Sequence, residues 1–129
     1  MAIVQVNSYL LKGANLESSL LARKALEAAA SIQASDILLL DIRPVASFAD
    51  YLLIMTAQNI RQMDSLAEEI AGSLKKDGVS LHHLEGTTDS GWLLLDYIDL
   101  VVHVFSSEQR TYYGLEDLWS TAISVVRIQ

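Results

Sequence analysis

Two apolar segments, Trp92-Leu93-Leu94-Leu95-Asp96 and Leu100-Val101-Val102-His103-Val104-Phe105, lie only a few residues apart. Short segments rich in aliphatic and β-branched residues are typical of strands, and the short connection favours an antiparallel hairpin. If the chain turns at Ile98-Asp99, Tyr97 faces Leu100. Counting outward from this turn gives three further facing pairs: Asp96 with Val101, Leu94 with His103, and Trp92 with Phe105.

This register places six side chains on one face of the sheet, because facing residues share a face. A slip of one residue would separate them. Aromatic and aliphatic bulk beside one carboxylate and one imidazole resembles the composition of a protein interface. Packing beneath the last helix is the alternative, and for Leu94 and Val101 both interpretations stay open. The six residues are Trp92, Leu94, Asp96, Val101, His103 and Phe105.

Outside the hairpin, hydrophobic periodicity predicts helices and strands on both sides. A helix is predicted from about Leu16 to Ala34, and Asn59 is a favoured N-cap for a second helix, with an apolar stripe from Ile60 to Leu74. The other predicted elements are a short strand at Ile3, Val4 and Val6, strands at residues 37–42 and 50–56, a weak strand at residues 79–84, a loop at residues 85–91, and a last helix after Ser106 with Tyr112, Leu115, Trp119, Ile123 and Val126 on one face. The main order, α-β-β-α-β-β-β-α, predicts a mixed α/β fold (α+β mixed sheet) covered by helices.

Length and charge limit the function classes. The 129 residues fit a single domain, expected at residues 17–129 behind an N-terminal extension of residues 1–16. Nine basic and sixteen acidic residues give a formal charge of −7, which disfavours direct readout of nucleic acid and favours a basic protein partner. The alternative is that the acidity only aids solubility. Without a leader pattern or an apolar run of about 20 residues, a cytoplasmic protein with no membrane partner is expected.

Residue types suited to metal binding and catalysis are sparse. The absence of cysteine excludes a thiol nucleophile and a thiolate metal site. His82 and His83 are adjacent, so on a strand they would point to opposite faces and could not chelate one ion together. His103 stands alone in an apolar strand, where a structural role is expected unless a partner claims it. No cofactor or metal site is therefore expected.

Residues 45–52 stand where nucleotidyltransferase folds place a small-residue turn followed by paired acids. Two-metal phosphoryl transfer needs both acids on one strand face to hold the cations. Asp50 could be the first acid, but Leu52 occupies the same-face position two residues on. No glycine pair lets the backbone approach a phosphate either. The segment predicts a protein that is not an enzyme, with a degenerate nucleotidyltransferase as the alternative.

Several motifs together resemble the ribosomal silencing factor family, also called RsfS or Iojap-like proteins. The resemblance runs from about Leu20 to Val126 and implies a nucleotidyltransferase-like mixed α/β fold without the catalytic acids. Ile98 stands where the family commonly has glycine, and Ala57 and Asn59 replace a glycine and a serine. The matching motifs are Glu85-Gly86, both hairpin strands, Arg110, Tyr112 or Tyr113, Leu115-Glu116-Asp117-Leu118-Trp119, and the earlier Asp36, Asp41, Asp50-Tyr51 and Arg61-Gln62.

The resemblance also implies a function: binding the large ribosomal subunit through its ribosomal protein fourteen, which sterically blocks joining of the small subunit and represses translation under nutrient limitation. Carried onto this chain, Trp92 and Leu94 would be apolar anchors and Asp96 would meet a lysine or arginine of the partner. Tyr97 and His103 would donate hydrogen bonds at the rim. A homodimeric structural module is a further alternative, and the free protein could dimerise through the same face.

Overall fold

A seven-stranded sheet is the central element of the computed structural model, which describes residues 3–6 and 16–129. The strands are β1 (Val4–Val6), β2 (Ser35–Asp41), β3 (Tyr51–Ala57), β4 (His83–Thr87), β5 (Trp92–Asp96), β6 (Leu100–Ser106) and β7 (Ile123–Ile128). The helices are α1 (Leu16–Ser31), α2 (Ile60–Lys76), α3 (Ser107–Tyr113) and α4 (Leu115–Leu118). The predicted mixed α/β class is confirmed.

Across the sheet the strands lie in the order β1-β7-β2-β3-β6-β5-β4. β3 and β6 are parallel, and all other neighbours are antiparallel. Between β5 and β6 the register pairs Trp92 with Phe105, Leu94 with His103 and Asp96 with Val101. The predicted hairpin register is therefore confirmed.

Helices α1 and α2 cover one face of the sheet and form the larger core cluster. Ala22, Ala25 and Ala29 of α1 are fully buried, since small side chains let the helix lie close to the sheet. Asn59 caps α2 as predicted, because its side-chain oxygen accepts a hydrogen bond of 2.8 Å from the Gln62 backbone N–H. The buried residues of α2 complete the cluster: Met63, Leu66, Ile70 and Leu74.

The opposite face carries a smaller cluster, formed mainly by central strands. Leu52, Ile54 and Phe105 are fully buried there, and Leu115 and Trp119 pack against the cluster from α4 and the turn that follows it. This cover does not extend over the outer strands. Every residue of β4 is exposed. The face therefore stays partly open to solvent along β4 and β5.

The prediction for the end of the chain is wrong. Gly114, with φ +57°, ends α3 after two turns, and four residues of α4 follow. The chain then returns as β7, which inserts between β1 and β2. Ile123 and Val126, interpreted as part of a helical stripe, belong to this strand. β-Branched residues at this density favour a strand, because they pack well on a pleated surface.

Two other segments differ from their predictions. The weak strand expected at residues 79–84 runs instead from His83 to Thr87, so most of the predicted loop at residues 85–91 is strand and a single 3₁₀ turn at Thr88–Ser90. The short strand expected near the start is confirmed, since Val4–Val6 pairs with β7. The rest of the predicted extension, residues 1–2 and 7–15, lies outside the described residues. No helix in the described part of the chain is long and apolar enough to span a bilayer.

Candidate partner-binding surface

Strand β5 alternates between the interior and solvent. Leu93 and Leu95 are buried in the cluster beneath α1 and α2, whereas Trp92, Leu94 and Asp96 are half-buried on the opposite side of the sheet. This alternation follows from the period of two in a strand. Three of the five predicted binding residues thus lie side by side where the sheet is open. We call Trp92, Leu94 and Asp96 the β5 face.

Contacts on three sides hold the indole of Trp92. Its ring stacks on Phe105, with centroids 5.1 Å apart and planes at 26°, and it meets the Tyr113 ring at 4.4 Å. Its Nε1–H donates a hydrogen bond of 3.1 Å to Nδ1 of His103. An aromatic side chain held this way loses little further freedom on binding, which favours its use as an anchor.

The imidazole of His103 is on the same side of the sheet but only 6% exposed. Because an indole N–H can only donate, Nδ1 accepts, and the proton of the neutral ring is on Nε2. Burial lowers the pKa of His103 to about 4, so the ring is neutral near pH 7. The hydrogen-bonding role at the rim predicted for His103 does not fit this position. Its contact orients Trp92 instead.

Tyr97 lies on the other side of the sheet. It is 5% exposed and belongs to the cluster beneath α1 and α2. Its hydroxyl is buried and has no hydrogen-bond partner in the described chain. Burial raises the pKa of this phenol. The rim contact predicted for Tyr97 does not fit, because residues adjacent along a strand point to opposite faces.

Asp96 closes the turn after β5. Its Oδ1 accepts a hydrogen bond of 2.8 Å from the Ile98 backbone N–H. Ile98 has φ +73°, and the Asp99 N–H donates to the Tyr97 carbonyl at 2.9 Å. The carboxylate therefore stabilises a tight three-residue turn and places a negative charge at the end of the β5 face.

Strand β4 adds two residues that sequence reasoning did not place on this surface. Glu85 pairs with Leu94, and His83 pairs with Asp96, so both share the side of the β5 face. His83 Nε2 lies 3.0 Å from Glu85 Oε1. The spacing of two between His83, Glu85 and Thr87 was the available signal, but the predicted strand ended at residue 84, so Glu85 and Thr87 were expected in a loop. A cavity of about 250 Å³ opens here, lined by Glu85, Gly86, Ser90, Trp92, Leu94 and Tyr113.

Gly86 is required for β4 to lie this close to β5. Its φ is +87°, and a Cβ at this position would lie 2.1 Å from the carbonyl oxygen of Trp92. No side chain fits there without moving one of the two strands. The Glu85-Gly86 motif therefore has a structural reason: the glycine permits the approach that brings Glu85 beside Trp92.

Other charged residues that carried the family resemblance lie elsewhere and hold the fold together. Arg110 is 9% exposed, and its Nε donates a hydrogen bond of 2.6 Å to Glu116. Its Nη1 donates to the Asp36 carbonyl at 2.6 Å and to Thr56 Oγ1 at 2.9 Å. Arg127 donates to both carboxylate oxygens of Asp36, at 3.1 and 2.9 Å. This cluster links α3 and α4 to β2, β3 and β7. Its role is structural.

Features of a metal or phosphoryl-transfer site are not seen in the described residues. No group of three or more His, Asp or Glu side chains in residues 3–6 and 16–129 is placed to hold a metal ion. Leu52, at the position where a second acid would be needed, is 1% exposed inside the smaller cluster.

Comparisons with known proteins agree on one family. The family model described as "Ribosomal silencing factor during starvation" matches residues 15–129. The Bacillus subtilis protein "Ribosomal silencing factor RsfS" is 39% identical over 90 residues, covering 70% of this chain and 76% of the relative. The chain is also similar to a crystal structure of a Chromobacterium violaceum protein, with a TM-score of 0.76, 33% identity, and coverage of 79% of this chain and 85% of that one.

Proposed function

This chain belongs to the ribosomal silencing factor family, and we propose that it docks on the large ribosomal subunit and blocks joining of the small subunit. The docking partner is the large-subunit ribosomal protein fourteen, and the outcome is repression of translation in the cytoplasm when nutrients are scarce. The observation that carries the proposal is the β5 face: an oriented indole, an aliphatic side chain and a carboxylate, side by side and partly open to solvent.

The β5 face has the makeup of a binding hot spot. Tryptophan is enriched among the few residues that dominate binding free energy, and Leu94 extends the apolar area beside it. His103 holds the indole in place, so docking does not have to order it. Asp96 and Glu85 border the apolar centre on the same side of the sheet. With a chain charge of −7, they favour a cationic partner and speed its association.

The mechanism is steric. A domain seated where two subunits must touch keeps them apart by occupancy, without any reacting group. Trp92 and Leu94 anchor the complex, Asp96 pairs with a lysine or arginine of the partner, and His103 acts through Trp92. An interface of ordinary size, about 1,600 Å² in total, is enough for stable docking.

Co-sedimentation tests the proposal directly. Purified protein is incubated with isolated large subunits and pelleted, and small subunits are then added at a magnesium concentration that supports joining. The protein is expected to sediment with large subunits and to lower the fraction that joins. Small subunits that join equally well at saturating protein would refute the blocking role.

A pair of charge-neutralising variants tests the β5 face without removing the indole. Asp96→Asn keeps an oxygen that accepts from Ile98 and removes the charge, so we expect folding to persist and large-subunit binding to weaken about tenfold. Asp64→Asn makes the same charge change on the exposed side of α2, and binding is expected to stay unchanged.

Trp92→Ala separates docking from self-association. Large-subunit binding is expected to be lost, with circular dichroism used to verify that the variant folds. If the variant instead binds large subunits normally and only its oligomer size changes in analytical ultracentrifugation, the β5 face is a homodimer interface.

A further inference from the structure

We propose that the cavity beside the β5 face binds one arginine side chain of the docked partner, with Glu85 as its counter-ion. This inference rests on the proposed function for the identity of the partner, because the arginine belongs to the ribosomal protein on which the chain docks. It adds Tyr113 to the binding surface, gives Glu85 the role of counter-ion and states the chemistry that the two residues recognise.

The size of the cavity suits a single side chain. Its volume of about 250 Å³ lies below the roughly 300–1,000 Å³ typical of pockets that hold small molecules. The Trp92 and Tyr113 rings, with centroids 4.4 Å apart and planes at 47°, form its aromatic walls. Leu94 adds aliphatic surface against which a side-chain stem can pack. A long side chain with a flat cationic end matches this combination.

Glu85 supplies the charge. Its carboxylate is bordered by His83, whose Nε2 lies 3.0 Å from Oε1. A carboxylate can only accept, so the imidazole donates and orients it. The ion pairs formed within residues 16–129 include no lysine or arginine at Glu85. A cation from a partner can therefore reach this carboxylate, beside His83, without displacing a lysine or arginine of the described chain.

Guanidinium fits the cavity better than ammonium. Its planar group stacks on aromatic rings and bonds a carboxylate through two parallel N–H groups, whereas an ammonium is a strongly hydrated point charge. A cation above the Trp92 or Tyr113 ring also gains from the negative face of the ring. An apolar side chain in the same place would partly desolvate Glu85 without pairing it.

A small-molecule probe tests the cavity independently of the ribosome. Isotope-labelled full-length chain is titrated with N-acetyl-L-arginine amide, and the Trp92 indole and Gly86 amide signals are followed by NMR. Saturable shifts are expected with the arginine compound and weaker ones with its lysine analogue. The citrulline analogue has nearly the same shape without the charge and is expected to cause none. Equal shifts with citrulline, or none with arginine, would overturn the proposal.

Glu85→Gln tests the counter-ion. The change keeps side-chain size, and we expect it to abolish the arginine-dependent shifts and to weaken large-subunit binding about tenfold. Glu68→Gln, on the exposed side of α2, is the matched control and is expected to change neither the NMR shifts nor large-subunit binding.

If wild-type protein fails to bind large subunits, the proposed function falls, while the arginine titration still tests whether the cavity binds arginine. If the Glu85→Gln variant binds the arginine compound and the large subunit as wild type does, this inference falls and the proposed function stands.

Discussion

The hydrogen bond from Trp92 to His103 joins a half-buried indole to a buried, neutral imidazole. An imidazole inside an apolar strand needs a partner for its nitrogen, because an unpaired buried polar group is costly. Trp92 supplies that partner and gains a fixed orientation in return. At the residue scale, the orientation of the indole and the stability of the fold therefore depend on the same contact, and the protonation state of His103 controls it.

This dependence predicts a pH effect. Burial lowers the pKa of folded His103 from 6.5 to about 4, so below pH 6.5 the unfolded chain binds this proton more readily. The stability that His103 contributes is complete above pH 6.5 and is lost as the pH falls toward 4, by up to about 3 kcal/mol. Urea unfolding between pH 4 and 7 should show wild type losing more stability than His103→Gln. Equal slopes for both proteins would contradict the low pKa.

The turn of the β5–β6 hairpin contains one residue, Ile98, whose backbone conformation is unfavourable for its side chain. The two strands pair in a single register, and Asp96 caps the turn, yet β-branched Ile98 is at φ +73°. Such a residue is strained there, because its branched carbon crowds the backbone in the left-handed region. The pairing of the two strands and the Asp96 contact hold the turn despite this strain.

Replacing Ile98 with glycine should relieve the strain. We expect Ile98→Gly to raise the free energy of unfolding by about 1 kcal/mol, the relief being partly offset by the greater freedom of glycine in the unfolded chain. Leu84→Gly, at a similarly exposed strand residue without positive φ, is the control and should lower stability. Thermal and urea unfolding measure both. A destabilised Ile98→Gly variant would show that the isoleucine side chain contributes more by packing than the turn loses by strain.

On the scale of the whole molecule, the Arg110 cluster holds the short helices α3 and α4 on the sheet. Arg110 reaches Asp36 and Thr56 from α3, and Glu116 of α4 completes the contact. Helix α3, which carries Arg110, also places Tyr113 against Trp92. The cluster thus helps to position Tyr113, one wall of the candidate surface, from the same face of the sheet.

Breaking this cluster should affect both stability and the surface. Arg110→Met keeps much of the stem but removes the charge and its donors, so we expect a loss of about 2 kcal/mol or more, because buried acceptors are left unpaired. In a Trp119→Phe background, where Trp92 is the only tryptophan, its fluorescence should also shift as Tyr113 moves away. Arg61→Met, at an exposed residue of α2, should change neither. Unchanged fluorescence in a destabilised Arg110→Met variant would show that Tyr113 is held without Arg110.

Local pattern in the sequence was enough to determine the hairpin, its register and the cap of α2. Alternation along the strand, a short connection and an N-cap asparagine act over a few residues, so no distant contact is needed to interpret them. The motif combination that resembled a silencing factor was equally visible, and the match over residues 15–129 confirms the family.

Only the tertiary structure decided the end of the chain and the exposure of the candidate residues. β7 is a strand because it pairs with β1 and β2, which lie far away in sequence, and this pairing overrides the helical spacing that Ile123 and Val126 continue from Trp119. Burial of Tyr97 and His103, and the approach of Glu85 to Trp92, likewise depend on which layers cover each face of the sheet. Burial is a property of the packed molecule, so a strand pattern alone leaves it undetermined.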